Sequence, residues 1–200
     1  MVALQLSSAD RARIHSALEA AQARTHARLA VMIVPVSDRY AAYPMAWAGI
    51  IALAVGGALA LFWQGIGLRL GFFIEAASFG AIALLFDWMP VRLTLVPRRL
   101  KQARARNMAH REFGAGILAA QDHKGGVLLF ASLGEHYVEI IADRMVHAAV
   151  GDDAWNRILD DFSARAGQRQ LAKAFVSAIQ ACDDLLASHF PKAGPTEAHA

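Results

Sequence analysis

The chain has 200 residues, of which 56% are hydrophobic, and a formal net charge of +3 at pH 7. This length predicts one domain or two, and the single cysteine, Cys182, excludes an intrachain disulfide. The first residues lack the basic start and long apolar stretch of a secretory signal, so we expect a later apolar segment to direct membrane insertion.

Charge is distributed unevenly along the chain. Up to Arg111 there are 13 basic and 5 acidic residues, whereas from Glu112 onward there are 7 basic and 12 acidic residues. No stacking aromatic residues alternate with the arginines, as a groove for single-stranded nucleic acid requires. We therefore predict no nucleic-acid partner and interpret the basic half as a signal of membrane topology.

The first predicted elements are a helix and a strand. Ser7 or Ser8 caps a helix that runs to about Arg24, and Asp10 favours the positive end of its dipole. The apolar run Leu29–Val36 then predicts a buried strand, because parallel or central strands are apolar on both faces.

Two long apolar runs follow. Tyr43–Trp63 carries no charge, and Leu70–Trp88 carries only Glu75 and Asp87. A helix needs about 20 apolar residues to cross the hydrocarbon core of a bilayer. Since only Gln64–Arg69 separates the runs, they predict a transmembrane hairpin. Two spans do not enclose a transport pathway unless the protein oligomerises, so we interpret the two acidic residues as tolerated near the ends of the second span.

Small residues in the first run favour close helix packing within the hairpin. They are Gly49, Gly56 and Gly57. After the second run, Pro97 suits the first turn of a helix extending to about Ala120. Its predicted inward side chains are Leu100, Ala103, Met108 and Phe113.

Basic residues crowd the segment just after the hairpin. They are Arg92, Arg98, Arg99, Lys101, Arg104 and Arg106. These side chains are either solvated or in contact with anionic lipid headgroups. Because positive residues favour the cytoplasmic side, they predict that the flanks of the hairpin face the cytoplasm.

The second half predicts two strands and two helices. Val127–Leu133 and Tyr137–Ala142 are strands, and the short link Gly134–His136 favours an antiparallel hairpin. Helices are expected at about 153–166 and 171–188. Cys182 lies on the apolar face of the last helix and is predicted to be a buried structural thiol.

The best candidate site is acidic and comprises Glu135, Glu139, Asp143, Asp152 and Asp153. Residues two apart in a strand share a face, so Glu139 and Asp143 are expected to point the same way. Asp143 ends a strand, where α/β folds place ligands, and calcium or magnesium prefers such carboxylates. The alternative is a solvated strand face with a helix cap at Asp152.

Other motifs of catalysis are missing from the sequence. The eight histidines are scattered, and no H-E-x-x-H, C-x-x-C, P-loop or G-x-S-x-G pattern occurs. Ser132 stands at a strand end without a nucleophile elbow. We therefore expect these residues to have structural or surface roles.

Three stretches carry a resemblance to a known family. They are Gly126–Asp143 (GVLLFASLGEHYVEIIAD), Ala20–Thr25 (AAQART) before an apolar strand, and the helix end His189–Pro191. Together they resemble the TPM-domain family, and within it the bacterial membrane form in which a two-span hairpin splits the domain. The similarity extends through Phe86–Arg92 and Leu95–Pro97.

The resemblance implies an α/β fold, a Rossmann-like TPM-type sandwich, interrupted by the hairpin. Some members of the family are acid phosphatases and others are auxiliary subunits of membrane receptors. Near Thr25, relatives read A-E-x-x-T-x-G-E. This chain has Gln22 and Arg28 in place of the two glutamates, and Ala27 in place of the glycine.

We therefore expect a TPM-like domain built from residues 1–40 and 97–191, a transmembrane hairpin at 43–88, and a disordered tail at 192–200. The predicted function is a membrane-tethered interaction or accessory module of a bacterial inner membrane, with its soluble domain in the cytoplasm. Its expected partners are the lipid bilayer and another membrane or cytoplasmic protein. The alternative is a divalent-metal-assisted acid phosphatase that uses calcium or magnesium at the acidic residues.

Overall fold

The computed structural model describes residues 6–63, 65, 67–88, 93–118 and 125–192. The chain divides into two compact units, one from residues 1–35 and 105–200 and the other from residues 36–104. Arg92, the last two residues of the helix expected to reach Ala120, and the predicted tail from Ala193 onward lie outside the described residues.

Helix α1 spans Ser8–Arg24 and begins where the sequence predicts. The Ser7 hydroxyl oxygen accepts a hydrogen bond from the Asp10 backbone N–H at 3.1 Å, and the Asp10 carboxylate accepts one from the Ser7 N–H at 3.3 Å. This reciprocal capping box satisfies two N–H groups that the start of a helix otherwise leaves unpaired.

Three strands form one sheet in the order β1-β2-β3: β1 (Arg28–Val34), β2 (Gly126–Ser132) and β3 (Tyr137–Ala142). Strand β1 pairs with β2 in parallel, and β2 pairs with β3 antiparallel. The predicted strands and the predicted β2–β3 hairpin are thus confirmed. The expectation of a strand buried on both faces is wrong for β1, which is half-buried at most positions, and fits β2, whose residues are all buried.

Helix α4 (Arg98–Phe113) precedes β2, and three helices follow β3: α5 (Arg144–Val150), α6 (Asp152–Gly167) and α7 (Leu171–His189). Helix α4 continues as a π-helical segment over Gly114–Leu118. The two long helices at the end were predicted, whereas α5 was not.

Helices cover both faces of the sheet. Val127, Leu129 and Ala131 of β2 pack in one core with side chains of α1, α6 and α7. Leu128 and Phe130 point to the other face and pack against buried side chains at the end of α4 and beyond it, namely Ala105, Ala109, Phe113 and Ile117. The inward stripe of α4 therefore starts at Ala105, and the predicted inward Ala103 is exposed.

The fold is confirmed as a mixed α/β architecture with a three-stranded sheet among the described residues. The finer expectation, a Rossmann-like sandwich, stays a prediction.

The second unit contains the two apolar runs as helices α2 (Ala42–Phe62) and α3 (Leu68–Asp87), which pack against each other. By length and composition, both are long and apolar enough to cross a membrane. Gly56 faces the Glu75 carboxyl group, and a Cβ atom at Gly56 would lie 2.9 Å from Glu75 Oε2. Close packing at a glycine is therefore confirmed for Gly56, whereas Gly49 and Gly57 face open space.

Candidate functional site

The predicted acidic residues have separate partners in the structure. Glu135 is buried in the turn between β2 and β3, where it accepts a hydrogen bond from the hydroxyl group of Ser132. Ser132 is also buried. This pair links the end of β2 to the turn that follows it.

Glu139 lies on β3 and connects this strand to helix α4. One carboxylate oxygen accepts a hydrogen bond from the Tyr137 hydroxyl group at 2.9 Å. The other lies 3.2 Å from His110 Nε2 and 3.8 Å from Arg106 Nε. Burial raises the pKa of Tyr137, and the bond to Glu139 raises it further. Glu139 is thus engaged by three neighbouring side chains.

Asp143 is the N-cap of α5 rather than a residue of β3. Its Oδ1 accepts the Val146 N–H at 2.9 Å, and its Oδ2 accepts the Gly126 N–H at 2.7 Å. The expected common face with Glu139 is not formed, because β3 ends at Ala142 and the Asp143 side chain turns back to the start of β2. Asp143 therefore stabilises a helix start and a strand edge.

The last two acidic candidates are exposed at the start of α6. Asp152 Oδ1 lies 3.2 Å from His147 Nε2, and Asp153 is also exposed in this first turn. Across the part of the chain that the structure describes, no group of three or more His, Cys, Asp or Glu side chains is placed to hold a metal ion. The calcium or magnesium site therefore stays a prediction.

The basic residues after the hairpin also divide among different surroundings. Arg98 and Arg99 are exposed, and Lys101 Nζ donates to the Leu93 carbonyl oxygen at 3.0 Å. Arg104 lies 3.4 Å from an oxygen of Asp38. Arg106 belongs to the α/β unit, where it faces Glu139.

An ion pair that the sequence analysis missed joins the end of α1 to α7. Arg24 Nη1 lies 2.6 Å from Asp183 Oδ2 and 3.0 Å from Asp184 Oδ1. Asp183 is buried, which raises its pKa, while the nearby Arg24 charge lowers it. The sequence feature that could have indicated this ion pair is Asp183 itself. It is an acidic residue next to Cys182 among the otherwise apolar buried residues of α7.

The segment around Thr25 has a structural role. The buried Thr25 hydroxyl group donates to the Phe190 carbonyl oxygen at 2.8 Å and accepts the Ala27 N–H at 3.1 Å. Gln22 Nε2 donates to the Leu29 carbonyl oxygen at 3.1 Å. An ionised glutamate has no hydrogen to donate there, so the departure at position 22 changes the local bonding.

A groove of about 930 Å³ opens at the carboxyl end of β2. We call it the strand-end groove. It is lined by the start of α1, the β2–β3 turn, and the turn between α6 and α7. The residues that line it include Asp10, Arg13, Leu133, His136, Val138, Phe162, Arg169, Leu171 and Lys173. None of the basic residues among them belongs to a recognisable motif in the sequence.

Comparison with known proteins bears on the second half of the chain, which includes most of the α/β unit. The family model of the TPM domain matches residues 91–185. The resemblance to the TPM-domain family is confirmed. The TPM match contains β2 and β3, whereas β1, which completes the sheet beside β2, lies outside the matched residues.

A solved structure has a similar fold. The NMR structure of the BA42 protein from the psychrophilic bacterium Bizionia argentinensis aligns with a TM-score of 0.54 at 15% sequence identity. The alignment covers 93% of this chain and 84% of that chain. No curated protein sequence matches the chain.

Proposed function

We propose that the chain is a membrane-tethered TPM-domain protein that acts as an interaction or accessory module. The observation that carries this proposal is the exposed apolar surface of helices α2 and α3. All but one of the exposed large hydrophobic side chains in the described residues lie between Met45 and Trp88, the exception being Met145.

The exposure is extensive along both helices. Leu53 is 69% exposed in α2, and Leu84 is 79% exposed in α3. A contiguous apolar surface of this length is unfavourable in water and is typical of contact with lipid or with another apolar surface. Neither helix resembles the core helix of a soluble protein, since 11% of the apolar window of α2 and 0% of that of α3 is buried.

The chain path supports a location of both flanks on one side of the membrane. The α/β unit uses residues before and after the hairpin, since β1 pairs with β2. Two spans return the chain to the side from which it started. The basic residues at that side, such as Arg98 and Arg99, outnumber the single Arg69 between the spans and favour the cytoplasm. The proposed location is therefore a bacterial inner membrane with the domain inside.

The accessory role is favoured over hydrolysis by how the acidic residues are used. Glu139 is bonded to Tyr137 and lies beside His110, and Asp143 is bonded to two backbone N–H groups. Gln22 donates a hydrogen bond where relatives have a glutamate. These contacts indicate that the side chains stabilise the fold.

The Rossmann-like description of the domain is supported by the helices that cover both faces of its sheet.

The test combines membrane extraction with an assay on the same sample. We expect the full chain to stay in the membrane pellet after an alkaline wash, to dissolve in detergent, and to purify with a protein partner. We expect little or no hydrolysis of a phosphomonoester with calcium or magnesium present. Strong hydrolysis by pure protein that is lost in both Glu139→Gln and Asp143→Asn would instead establish the phosphatase alternative.

A further inference from the structure

We propose that the strand-end groove binds an acidic, extended segment of a protein partner. This inference rests on the proposed function, because it supplies the surface by which the module contacts its partner. It concerns residues of the α/β unit alone.

The groove lies at the carboxyl ends of the two parallel strands, where α/β sheets commonly bind ligands. Strands β1 and β2 run in parallel and end together at Val34 and Ser132. Beyond them, the Leu133 N–H bonds the Val34 carbonyl oxygen at 3.0 Å, which holds the start of the turn in place. Ligands of open α/β sheets bind outside the carboxyl ends of parallel strands, because loops and helix starts converge there.

Basic side chains from three parts of the chain line the groove. They are Arg13 on α1, Arg169 in the turn between α6 and α7, and Lys173 on α7. Arg169 and Lys173 form no ion pair with any residue that the structure describes. The acidic side chain in the lining is Asp10, which bonds Ser7 and lies 3.8 Å from Arg13. The excess positive charge favours an anionic ligand.

The start of α7 adds to this positive potential. The first intrahelical bond of α7 is made by the Ala174 N–H to the Gln170 carbonyl oxygen. No side chain caps the start of the helix by a hydrogen bond. Leu171 and Ala172, the first two residues of α7, belong to the groove lining, and the start of a helix carries the partial positive charge of its dipole.

Two residues of the lining have positive backbone φ angles. His136, in the β2–β3 turn, has φ 51°, and Arg169, just after the end of α6, has φ 61°. The Arg169 N–H bonds the Ala166 carbonyl oxygen at 3.0 Å and the Gln170 N–H bonds the Arg165 carbonyl oxygen at 3.1 Å, which is the usual pattern of a helix that ends in a left-handed residue. The turn and the helix end therefore fix the backbone positions of both residues in the lining.

The apolar part of the lining selects the class of anion. Leu133, Val138, Phe162 and Leu171 line the same groove as the basic residues. Inorganic phosphate could contact the basic side chains, but it would leave the apolar side chains of the groove exposed to water. A peptide with alternating acidic and apolar residues would cover both, and a volume of about 930 Å³ accommodates several side chains.

The experiment uses the full chain in nanodiscs of zwitterionic lipid. The probes are three fluorescent peptides in which leucine alternates with glutamate, glutamine or lysine, and binding is followed by fluorescence anisotropy. We expect the glutamate peptide to bind more tightly than the other two, and added salt to weaken it. Arg169→Glu with Lys173→Glu is expected to weaken binding by about tenfold or more.

A matched control separates the groove from general charge. Arg11→Glu with Arg157→Glu makes the same change in net charge at exposed positions of α1 and α6 outside the groove lining. We expect this control to bind within about twofold of the wild type. The milder pair is Arg169→Gly with Lys173→Gln, in which glycine suits the positive φ at position 169. It should show an intermediate loss of affinity for the glutamate peptide. Because this variant is compatible with the fold, such a loss is not explained by a folding defect.

Several results would overturn the proposal. One is an equal loss of affinity for the glutamate peptide in the groove and control variants, and another is equally tight binding of the glutamine or lysine peptide. Displacement of the glutamate peptide by millimolar phosphate, or occupation of the groove by a second copy of the chain in sedimentation, would also contradict it. A preference for vesicles with anionic headgroups over the glutamate peptide would overturn it too. Failure of the chain to enter nanodiscs would count against the membrane-tethered function instead.

Discussion

Leucine residues in the two units meet opposite surroundings. Leu129 in the central strand is 0% exposed, whereas Leu84 in helix α3 is 79% exposed. The α/β unit buries its apolar side chains in two cores, as water requires. The hairpin turns the same residue types outward, which is favourable only against an apolar surrounding. This contrast is the basis of the proposal that one chain is adapted to two solvents.

Removal of the hairpin should have the largest effect. We expect a chain in which a short linker replaces residues 43–88 to remain in solution without detergent, because β1 still pairs with β2 and both cores are retained. Cooperative unfolding in urea, followed by circular dichroism, checks this expectation. A monomeric product that unfolds without cooperativity would show that the α/β unit needs the hairpin.

Matched leucine truncations should sharpen the contrast between the units. Leu129→Ala is expected to lower the free energy of unfolding by about 3 kcal/mol, because it leaves a cavity in a packed core. Leu84→Ala should change it by less than about 0.5 kcal/mol, since this side chain is exposed. Pulse proteolysis of the full chain in detergent measures both. Equal losses would indicate that Leu84 is packed against protein.

A smaller effect is expected where α1 meets the end of α7. Thr25→Val keeps the shape of the side chain and removes its hydrogen bonds to Phe190 and Ala27. The free energy of unfolding should fall by about 1–2 kcal/mol, because buried backbone groups lose their partner. Thr25→Ser, which retains the hydroxyl group, is the control and should lose less.

The smallest expected effect is a change in pH dependence. The pKa of Asp183 is raised by burial despite the lowering effect of Arg24. A raised native pKa stabilises the fold below the ordinary aspartate pKa of about 3.9, and this contribution is lost as the pH rises through the native value. Asp183→Asn should therefore remove that part of the pH dependence. Parallel stability profiles for both proteins would contradict this assignment.

Local patterns were sufficient to predict most of the α/β unit. The capping residue Ser7 marks the start of α1, and alternating or continuous apolar runs mark all three strands. The position of β1 at an edge was missed, because an apolar run does not reveal how many neighbours a strand has. Helix α5 was missed since its seven residues carry too short a pattern.

The candidate site was harder to predict because its parts are distant in the sequence. Arg13, His136 and Lys173 meet only after the sheet and helices are assembled. The acidic residues lie close together in the sequence, and this spacing predicted a common site. In the structure, however, Glu139 and Asp143 contact different elements. Pairing across a fold, as between Arg24 and Asp183, has no signature in sequence spacing.

Cysteine accessibility tests the membrane-tethered account most directly. Buried Cys182, whose pKa burial raises to about 12, should not react with maleimide, so the wild type serves as the background. In cells with a permeabilised outer membrane, an impermeant maleimide should label Ile66→Cys, spare Leu53→Cys in the middle of α2, and reach Ser7→Cys only after the inner membrane is opened. Labelling of Leu53→Cys as strong as that of Ile66→Cys would contradict a membrane-embedded hairpin.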